Sequence, residues 1–135
     1  MAAREQPQGY ILVVDDLPAL ANLMAEMLAT AGYRTVTTAN GQEALAHLRS
    51  GEALPALILL DLDMPVMNGW EFRREQLSDS LLASIPTVIV TAYVGPIPNG
   101  LGEAPKVRKP VNPEQLISLV ETYCPKGGGA PDAVA

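Results

Sequence analysis

The stretch ALILLDLDMPVMNG, residues 56–69, decides the fold, because an aspartate follows an apolar run of strand length and a turn signal comes soon after it. Three further segments end a short strand-like run in polar groups: GYILVVDD (9–16), PTVIVTA (86–92) and KVRKP (106–110). The carboxyl ends of parallel strands meet at one edge of a sheet, and ligands of open α/β sheets bind at that edge. We therefore expect these polar groups to converge at one site.

The converging groups are carboxylates, one hydroxyl and one ammonium, carried by Asp15, Asp16, Asp61, Asp63, Thr91 and Lys109. Crowded acids repel one another unless a cation joins them, and hard oxygen ligands of this kind suit Mg²⁺. A metal ion, a nucleophilic aspartate, a hydroxyl and an ammonium are the parts needed to take up a phosphoryl group. The alternatives are an N-cap role for one acid of the Asp15-Asp16 pair and an ordinary surface position for Lys109.

Helical patterns alternate with strand-like segments, which is typical of right-handed βαβ crossovers and of a parallel sheet with helices on both faces. The strand-like segments cover residues 10–14, 34–39, 57–60, 86–92 and 106–109. The helical patterns cover residues 18–31, 41–51, 69–83 and 113–124. We predict an α/β fold with a doubly wound, five-stranded parallel sheet.

The fourth crossover departs from this alternation. Residues 94–105 read VGPIPNGLGEAP and contain three prolines and three glycines. An internal proline costs a helix about 3 kcal/mol and an internal glycine about 1 kcal/mol. The sequence therefore predicts a loop where the fourth helix would be.

Length and composition limit the possible function classes. The 135 residues predict one domain, residues 9–124, between a flexible N-terminus (1–8) and a disordered C-terminal tail (125–135). A net charge of −6 argues against a nucleic-acid-binding surface, which carries clustered Lys and Arg. The single cysteine, Cys124, fits a reducing compartment, and no apolar run approaches the roughly 20 residues that span a membrane. We expect a cytoplasmic protein without nucleic-acid or membrane partners.

Four motifs together resemble the receiver domain of two-component response regulators: Asp15-Asp16, DLDMPVMNG around Asp61, VTA with Thr91 and Ala92, and Lys109-Pro110. Each motif alone is weak, whereas all four in this order at strand ends are specific. The resemblance covers residues 9–124. It implies a flavodoxin-like (βα)5 fold whose fourth helix is lost or replaced by the Pro/Gly-rich loop.

The resemblance implies a role for each acid. Asp61 would be the phosphoacceptor, a carboxylate that attacks the phosphorus of a phosphohistidine. Mg²⁺ would be held by the side chains of Asp16 and Asp61, by Asp15 mainly through water, and by the backbone carbonyl of Asp63.

The remaining roles concern the groups around the phosphoryl oxygens. Lys109 would pair with one oxygen, and its bond to Pro110 would be the family's cis peptide. Thr91 would hydrogen-bond another oxygen, and the small Ala92 would leave room for the phosphodonor. Asp63 and Tyr93 occupy two positions that, in this family, set the rate at which water removes the phosphoryl group. For Asp63, a surface charge without a kinetic role is an equal alternative.

Two departures from the family concern its switching residues. Thr91 and Lys109 are several positions closer in sequence than is usual in the family. Lys106 occupies the place where many receivers have a switching Tyr or Phe. Tyr93 is either a substitute gate or an exposed loop tyrosine.

The implied function is a stand-alone phosphoacceptor module rather than an enzyme, with only self-catalysed phosphorylation and dephosphorylation. Its partners would be a sensor histidine kinase or histidine phosphotransfer protein and a downstream protein, reached by direct contact or by a phosphorelay. One alternative is a docking module that keeps the fold and works without phosphorylation. A less favoured one is a haloacid-dehalogenase-type phosphatase, since Asp61-Leu62-Asp63 resembles its DxD motif; turnover of a small phosphoester would reveal it.

Overall fold

The computed structural model describes residues 9–93, 95, 102 and 104–124. Its strands are β1 (Tyr10–Val14), β2 (Arg34–Thr38), β3 (Leu57–Leu60), β4 (Thr87–Thr91) and β5 (Lys106–Arg108). Its helices are α1 (Pro18–Thr30), α2 (Gly41–Leu48), α3 (Gly69–Leu77) and α4 (Pro113–Tyr123). All strands are parallel, in the order β2-β1-β3-β4-β5. The predicted doubly wound α/β fold is confirmed.

Apolar side chains fill both sides of the sheet, because every residue of β1, β3 and β4 is buried. Residues that alternate along a strand point to opposite faces. Leu12, Ile58 and Ile89 therefore lie in one core cluster with residues of α2 and α3. Val13 and Leu59 lie in the other, with residues of α1 and α4. In the ranges described, no helix is long and apolar enough to cross a membrane.

The helix predicted over residues 69–83 is shorter than expected, because α3 ends at Leu77. The Gln76 side chain is fully buried, and its amide nitrogen donates hydrogen bonds to the backbone oxygens of Leu82 and Ile85, at 3.1 and 3.2 Å. Leu82 and Ile85 themselves pack into the core. These contacts fold the segment after α3 back onto the sheet, where the sequence pattern had suggested continued helix.

The fourth crossover contains no helix among its described residues. Most of the predicted Pro/Gly-rich loop, residues 94, 96–101 and 103, lies outside the described residues. The predicted flexible N-terminus (1–8) and disordered tail (125–135) also lie outside them.

Val66 has an unfavourable backbone conformation, with φ of 69°. A β-branched side chain rarely adopts this left-handed region, whereas Asn tolerates it. Val66 is also 73% exposed, so its side chain contributes little packing to offset the strain.

We predict that Val66→Asn raises the free energy of unfolding by about 1 kcal/mol, because it relieves this strain. Urea unfolding followed by circular dichroism would measure the change. Leu81→Asn is the matched control, since Leu81 is 75% exposed and has no left-handed backbone. An equal gain in both variants would attribute the effect to the loss of exposed apolar surface and contradict the prediction.

Candidate functional site

Asp15 and Asp61 lie side by side because each continues its strand beyond the sheet ladder. The Asp15 N–H donates to the backbone oxygen of Thr38 at 3.0 Å, and the Asp61 N–H donates to that of Val14 at 2.9 Å. Asp15 follows β1 and Asp61 follows β3, which are hydrogen-bonded neighbours in the sheet. The register of three adjacent strands therefore fixes where both carboxylates emerge.

The carboxylates of Asp15, Asp16 and Asp61 form a compact group, with one oxygen from each lying within 4.8 Å of the others. Asp15 and Asp61 are buried, and Asp16 is half-buried. Oxygen donors at this spacing fit a hard divalent cation such as Mg²⁺. The side chain of Asp63 is exposed and lies outside this group. Its predicted role uses the backbone carbonyl and stays a prediction.

Lys109 brings a positive charge into this acidic group. Its Nζ lies 2.9 Å from Oδ2 of Asp15 and 3.4 Å from Oδ2 of Asp61. The residue is positioned by β5, since its N–H donates to the backbone oxygen of Thr91 at 3.0 Å. The Lys109–Pro110 peptide bond is cis, as the family resemblance implied. The side chain is only 11% exposed, so its ion pairs are shielded from water.

The pKa of Asp61 is raised above the ordinary value for aspartate. Burial is the largest cause, because it disfavours the charged carboxylate. The Lys109 ammonium opposes the rise in pKa, and the neighbouring Asp15 carboxylate adds to it. Asp61 thus lies where a further cation would favour its ionised, nucleophilic form.

Thr91 ends β4 beside this group and is buried. Its Oγ1 accepts a hydrogen bond from the N–H of Tyr93 at 3.1 Å. A cavity of about 330 Å³ opens next to these residues, lined by Asp16, Leu17, Asp61, Asp63, Thr91, Ala92, Tyr93 and Lys109. Asp15 lies outside this lining, where its carboxylate binds the Leu17 N–H at 3.0 Å as well as Lys109. The structure thus places the predicted site residues other than Asp15 around one cleft, which we call the acidic cleft, and Asp15 is joined to it through Lys109.

Two further residues shape the site, although the sequence analysis assigned them no role in it. Gly69 packs so closely that a Cβ there would collide with the backbone oxygen of Asp61 and lie 2.7 Å from Cα of Leu62. Its N–H donates to the backbone oxygen of Leu62 at 2.9 Å, which fixes the loop after Asp61. The sequence signal for this position is the Asn-Gly pair at the start of α3, where Asn68 and Glu71 form the capping box of the helix.

Trp70 is the second such residue, and it forms an edge-to-face pair with Tyr93 at a centroid distance of 5.3 Å. Its Nε1 is buried and has no hydrogen-bond partner in the described part of the chain. Tyr93 is 39% exposed, so one wall of the acidic cleft is an aromatic side chain supported by a second one. The spacing of Trp70 and Tyr93 in the sequence does not predict this contact, because one lies on α3 and the other follows β4.

The fold and the acidic group define an α/β domain with a candidate metal pocket at the carboxyl edge of its parallel sheet, and a family comparison agrees. Residues 11–121 match the model of the response regulator receiver domain. The chain therefore belongs to the response regulator receiver family of two-component signalling proteins. Receiver domains bind Mg²⁺ at an acidic pocket, and the group of Asp15, Asp16 and Asp61 has the composition of such a pocket.

Relatives support the same assignment. The polar-differentiation response regulator DivK of Brucella anthropi is 31% identical over 84% of this chain and 94% of its own length. The DNA-binding response regulator MtrA of Mycolicibacterium smegmatis is 37% identical over 82% of this chain, which spans only 48% of MtrA. Chemotaxis protein CheY4 of Vibrio cholerae superposes with a TM-score of 0.78 at 30% identity, covering 87% of this chain and 99% of CheY4.

We predict that Asp61→Asn stabilises the metal-free protein near neutral pH. Because burial raises the pKa of Asp61, the folded protein keeps that proton to a higher pH than the unfolded chain does. The free energy of unfolding therefore falls as pH rises from the ordinary aspartate pKa through the raised one. The Asp61→Asn gain should be present at neutral pH and vanish below the ordinary aspartate pKa of about 4.

Urea unfolding in EDTA at several pH values would test this gain. Asp63→Asn is the control, because it removes an exposed acid from the same loop. An equal gain from Asp63→Asn, or a gain from Asp61→Asn that persists in acid, would contradict the proposed cause.

We predict that Gly69→Ala lowers the free energy of unfolding by about 2 kcal/mol or more, since the added methyl group meets the backbone of Asp61 and Leu62. Gly51→Ala is the comparison, because Gly51 has φ of 94° but no atom within 4 Å of an added Cβ. The free energy of unfolding of Gly51→Ala should fall by only about 1 kcal/mol, the cost of placing a side chain on a left-handed backbone. Thermal unfolding of both variants would decide, and a smaller loss for Gly69→Ala would be inconsistent with a rigid backbone contact.

Proposed function

We propose that Asp61 accepts a phosphoryl group from a phosphohistidine of a sensor histidine kinase or histidine phosphotransfer protein, in a Mg²⁺-dependent reaction. The observation that carries this proposal is the pair of contacts from Lys109 Nζ to Asp15 and Asp61, at 2.9 and 3.4 Å. An ammonium held at the nucleophilic carboxylate is positioned to neutralise a phosphoryl oxygen that arrives there.

The transfer is an in-line displacement at phosphorus. An Asp61 carboxylate oxygen forms the new O–P bond, the P–N bond to the donor imidazole breaks, and the imidazole nitrogen keeps that electron pair. The product on this chain is an aspartyl phosphate. The roles in the protein are positioning and charge stabilisation, because this chemistry needs no further covalent group.

The other residues of the acidic cleft assist in distinct ways. Thr91 presents a hydroxyl at the end of β4 that can donate to a second phosphoryl oxygen. The small side chain of Ala92 leaves the approach to Asp61 open. Lys109 stays within reach of the acceptor because β5 and its hydrogen bond to Thr91 hold its backbone.

Asp15, Asp16 and Asp61 would hold the Mg²⁺ ion. The donor set fits, since three carboxylates with oxygens within 4.8 Å of one another supply hard, anionic ligands. When bound, the ion neutralises charge on the acceptor and on the transferred group.

The output of the domain is proposed to be a protein–protein contact or a further phosphotransfer, without metabolic turnover of a substrate. Phosphorylation adds a charge of roughly −1.5 to −2 at the sheet edge, which a two-state surface can read. The net charge of −6 favours protein partners over nucleic acid. DNA binding is a property named for MtrA, of which this chain spans 48%.

We predict that the protein gains one phosphoryl group when incubated with acetyl phosphate and Mg²⁺, as measured by intact mass spectrometry. Asp61→Asn should gain none, and neither should the wild-type protein in EDTA. Asp79→Asn, which removes an acid that follows the C-terminal end of α3 and contacts Arg49, is the matched control and should label like the wild type.

A phosphohistidine donor protein would then test the physiological phosphodonor class. Absence of the adduct with both donors would contradict the proposal and favour a docking module that works without phosphorylation. An adduct that survives in Asp61→Asn would place the acceptor elsewhere.

A further inference from the structure

One edge of the sheet is formed by β2, which pairs with β1 alone in the described part of the chain. Alternate residues of a strand direct their backbone N–H and C=O groups to opposite sides of it. The backbone oxygen of Thr38 accepts a hydrogen bond from the N–H of Asp15 at 3.0 Å, so Thr38 faces the β1 side. The backbone groups of Thr35 and Thr37 therefore point away from the sheet.

The usual protection of an edge strand is weak in β2. Natural edge strands avoid pairing with other molecules through charged side chains, proline, bulges or short length. The four residues after Arg34 are Thr, Val, Thr and Thr, all β-branched, uncharged and at least partly exposed. They pair with β1 residue for residue, without a bulge. Because β-branched residues favour extended backbone, β2 suits pairing with a further strand.

The two ends of β2 carry opposite charges. Arg34 is exposed at the start of the strand and forms no ion pair with the residues that the structure describes. At the other end, the exposed carboxylate of Glu43 accepts a hydrogen bond from the N–H of Ala39 at 3.0 Å. A cleft of about 190 Å³ at that end is lined by Asp16 and Glu43, among others. The edge is thus positive where β2 begins and negative where it ends.

Arg34 and Glu43 lie on the same side of the sheet. Val36 packs against the core cluster that contains residues of α2, and residues two apart in a strand share a face. Arg34 therefore projects on the α2 side, and Glu43 belongs to the first turn of α2. Opposite residues of an antiparallel pair also share a face, so two copies joined edge to edge would bring these charges to one side.

We propose that β2 pairs in the antiparallel direction with β2 of a second copy of this chain, which joins the two five-stranded sheets into one continuous sheet. The two-fold axis passes beside Val36. Thr35 of each copy then lies opposite Thr37 of the other, where each backbone can donate to and accept from its partner. Threonine pairs at opposite positions are also favourable through their side chains.

Charge complementarity selects a second copy as the occupant. The same register sets Arg34 of each copy opposite Thr38 of the other, next to the Glu43 carboxylate that is held at the end of that strand. The two-fold axis repeats this ion pair, because a symmetric interface uses the same patch on both copies. Opposite charges that meet in one register also exclude other registers. The association does not rest on the proposed function.

Sedimentation velocity at increasing concentrations of the full chain, without phosphodonor, would measure the association. Arg34→Glu should weaken dimerisation by about tenfold or more, because two ion pairs are replaced by two like-charge contacts. Arg74→Glu is the matched control, since Arg74 is exposed on α3 and its substitution changes the net charge equally. This control should dimerise within about twofold of the wild type.

A charge swap separates this contact from a general effect of charge. Arg34→Glu/Glu43→Arg has the net charge of the wild type and should restore dimerisation to within about threefold, because each ion pair forms again in reverse. Hydrogen exchange of the wild type needs no substitution. The amides of Thr35 and Thr37 should become protected as the protein concentration rises, whereas those of β5 should not.

Four results would overturn the proposal: a monomer at concentrations up to about 1 mM, equal weakening by Arg34→Glu and Arg74→Glu, no rescue by the charge swap, or protection confined to β5. Asp61→Asn, tested beside the wild type, should dimerise equally. Failure to dimerise is therefore distinguishable from failure of phosphorylation.

Discussion

The arrangement of this site depends on the ion pairs of the Lys109 ammonium. The ammonium contacts the two buried carboxylates of Asp15 and Asp61 and offsets the electrostatic repulsion between them. The acids follow β1 and β3, and the lysine follows β5, so the three charges meet only when the sheet is assembled across β4. The site is for this reason a product of the whole sheet rather than of any one loop.

The same dependence explains why the backbone after Asp61 is so tightly packed. Gly69 lies against Asp61 and Leu62, and the capping box formed by Asn68 and Glu71 fixes the start of α3 at that point. In the proposed function this carboxylate meets both a phosphodonor and an ammonium, which requires a fixed position, and fixed geometry is worth several kcal/mol in catalysis. Val66 lies in this same loop, and its left-handed backbone is unfavourable for a β-branched residue.

The fold and most of the site follow from the sequence, because both rest on local patterns. Strand-length apolar runs that end in acids, a threonine and a lysine predict where the sheet edge lies, and parallel pairing brings those ends together. The end of α3 at Leu77 could not be predicted from the sequence, because it depends on hydrogen bonds from buried Gln76 to residues up to nine positions away. The contact of Trp70 with Tyr93 could not be predicted either, because it joins α3 to the end of β4 and no periodic pattern in the sequence relates the two positions.

The composition of β5 has a consequence for the behaviour of the protein at high concentration. β5 is one of the two edge strands of the sheet, next to β4 alone, and it is only three residues long. Exposed edge strands invite pairing with the sheet of another molecule, and short length together with charged side chains discourages it. Lys106 and Arg108 on one copy would meet the same cations on another if two β5 edges approached. The strand therefore resists edge-to-edge aggregation while leaving its charged face accessible to ligands of opposite sign.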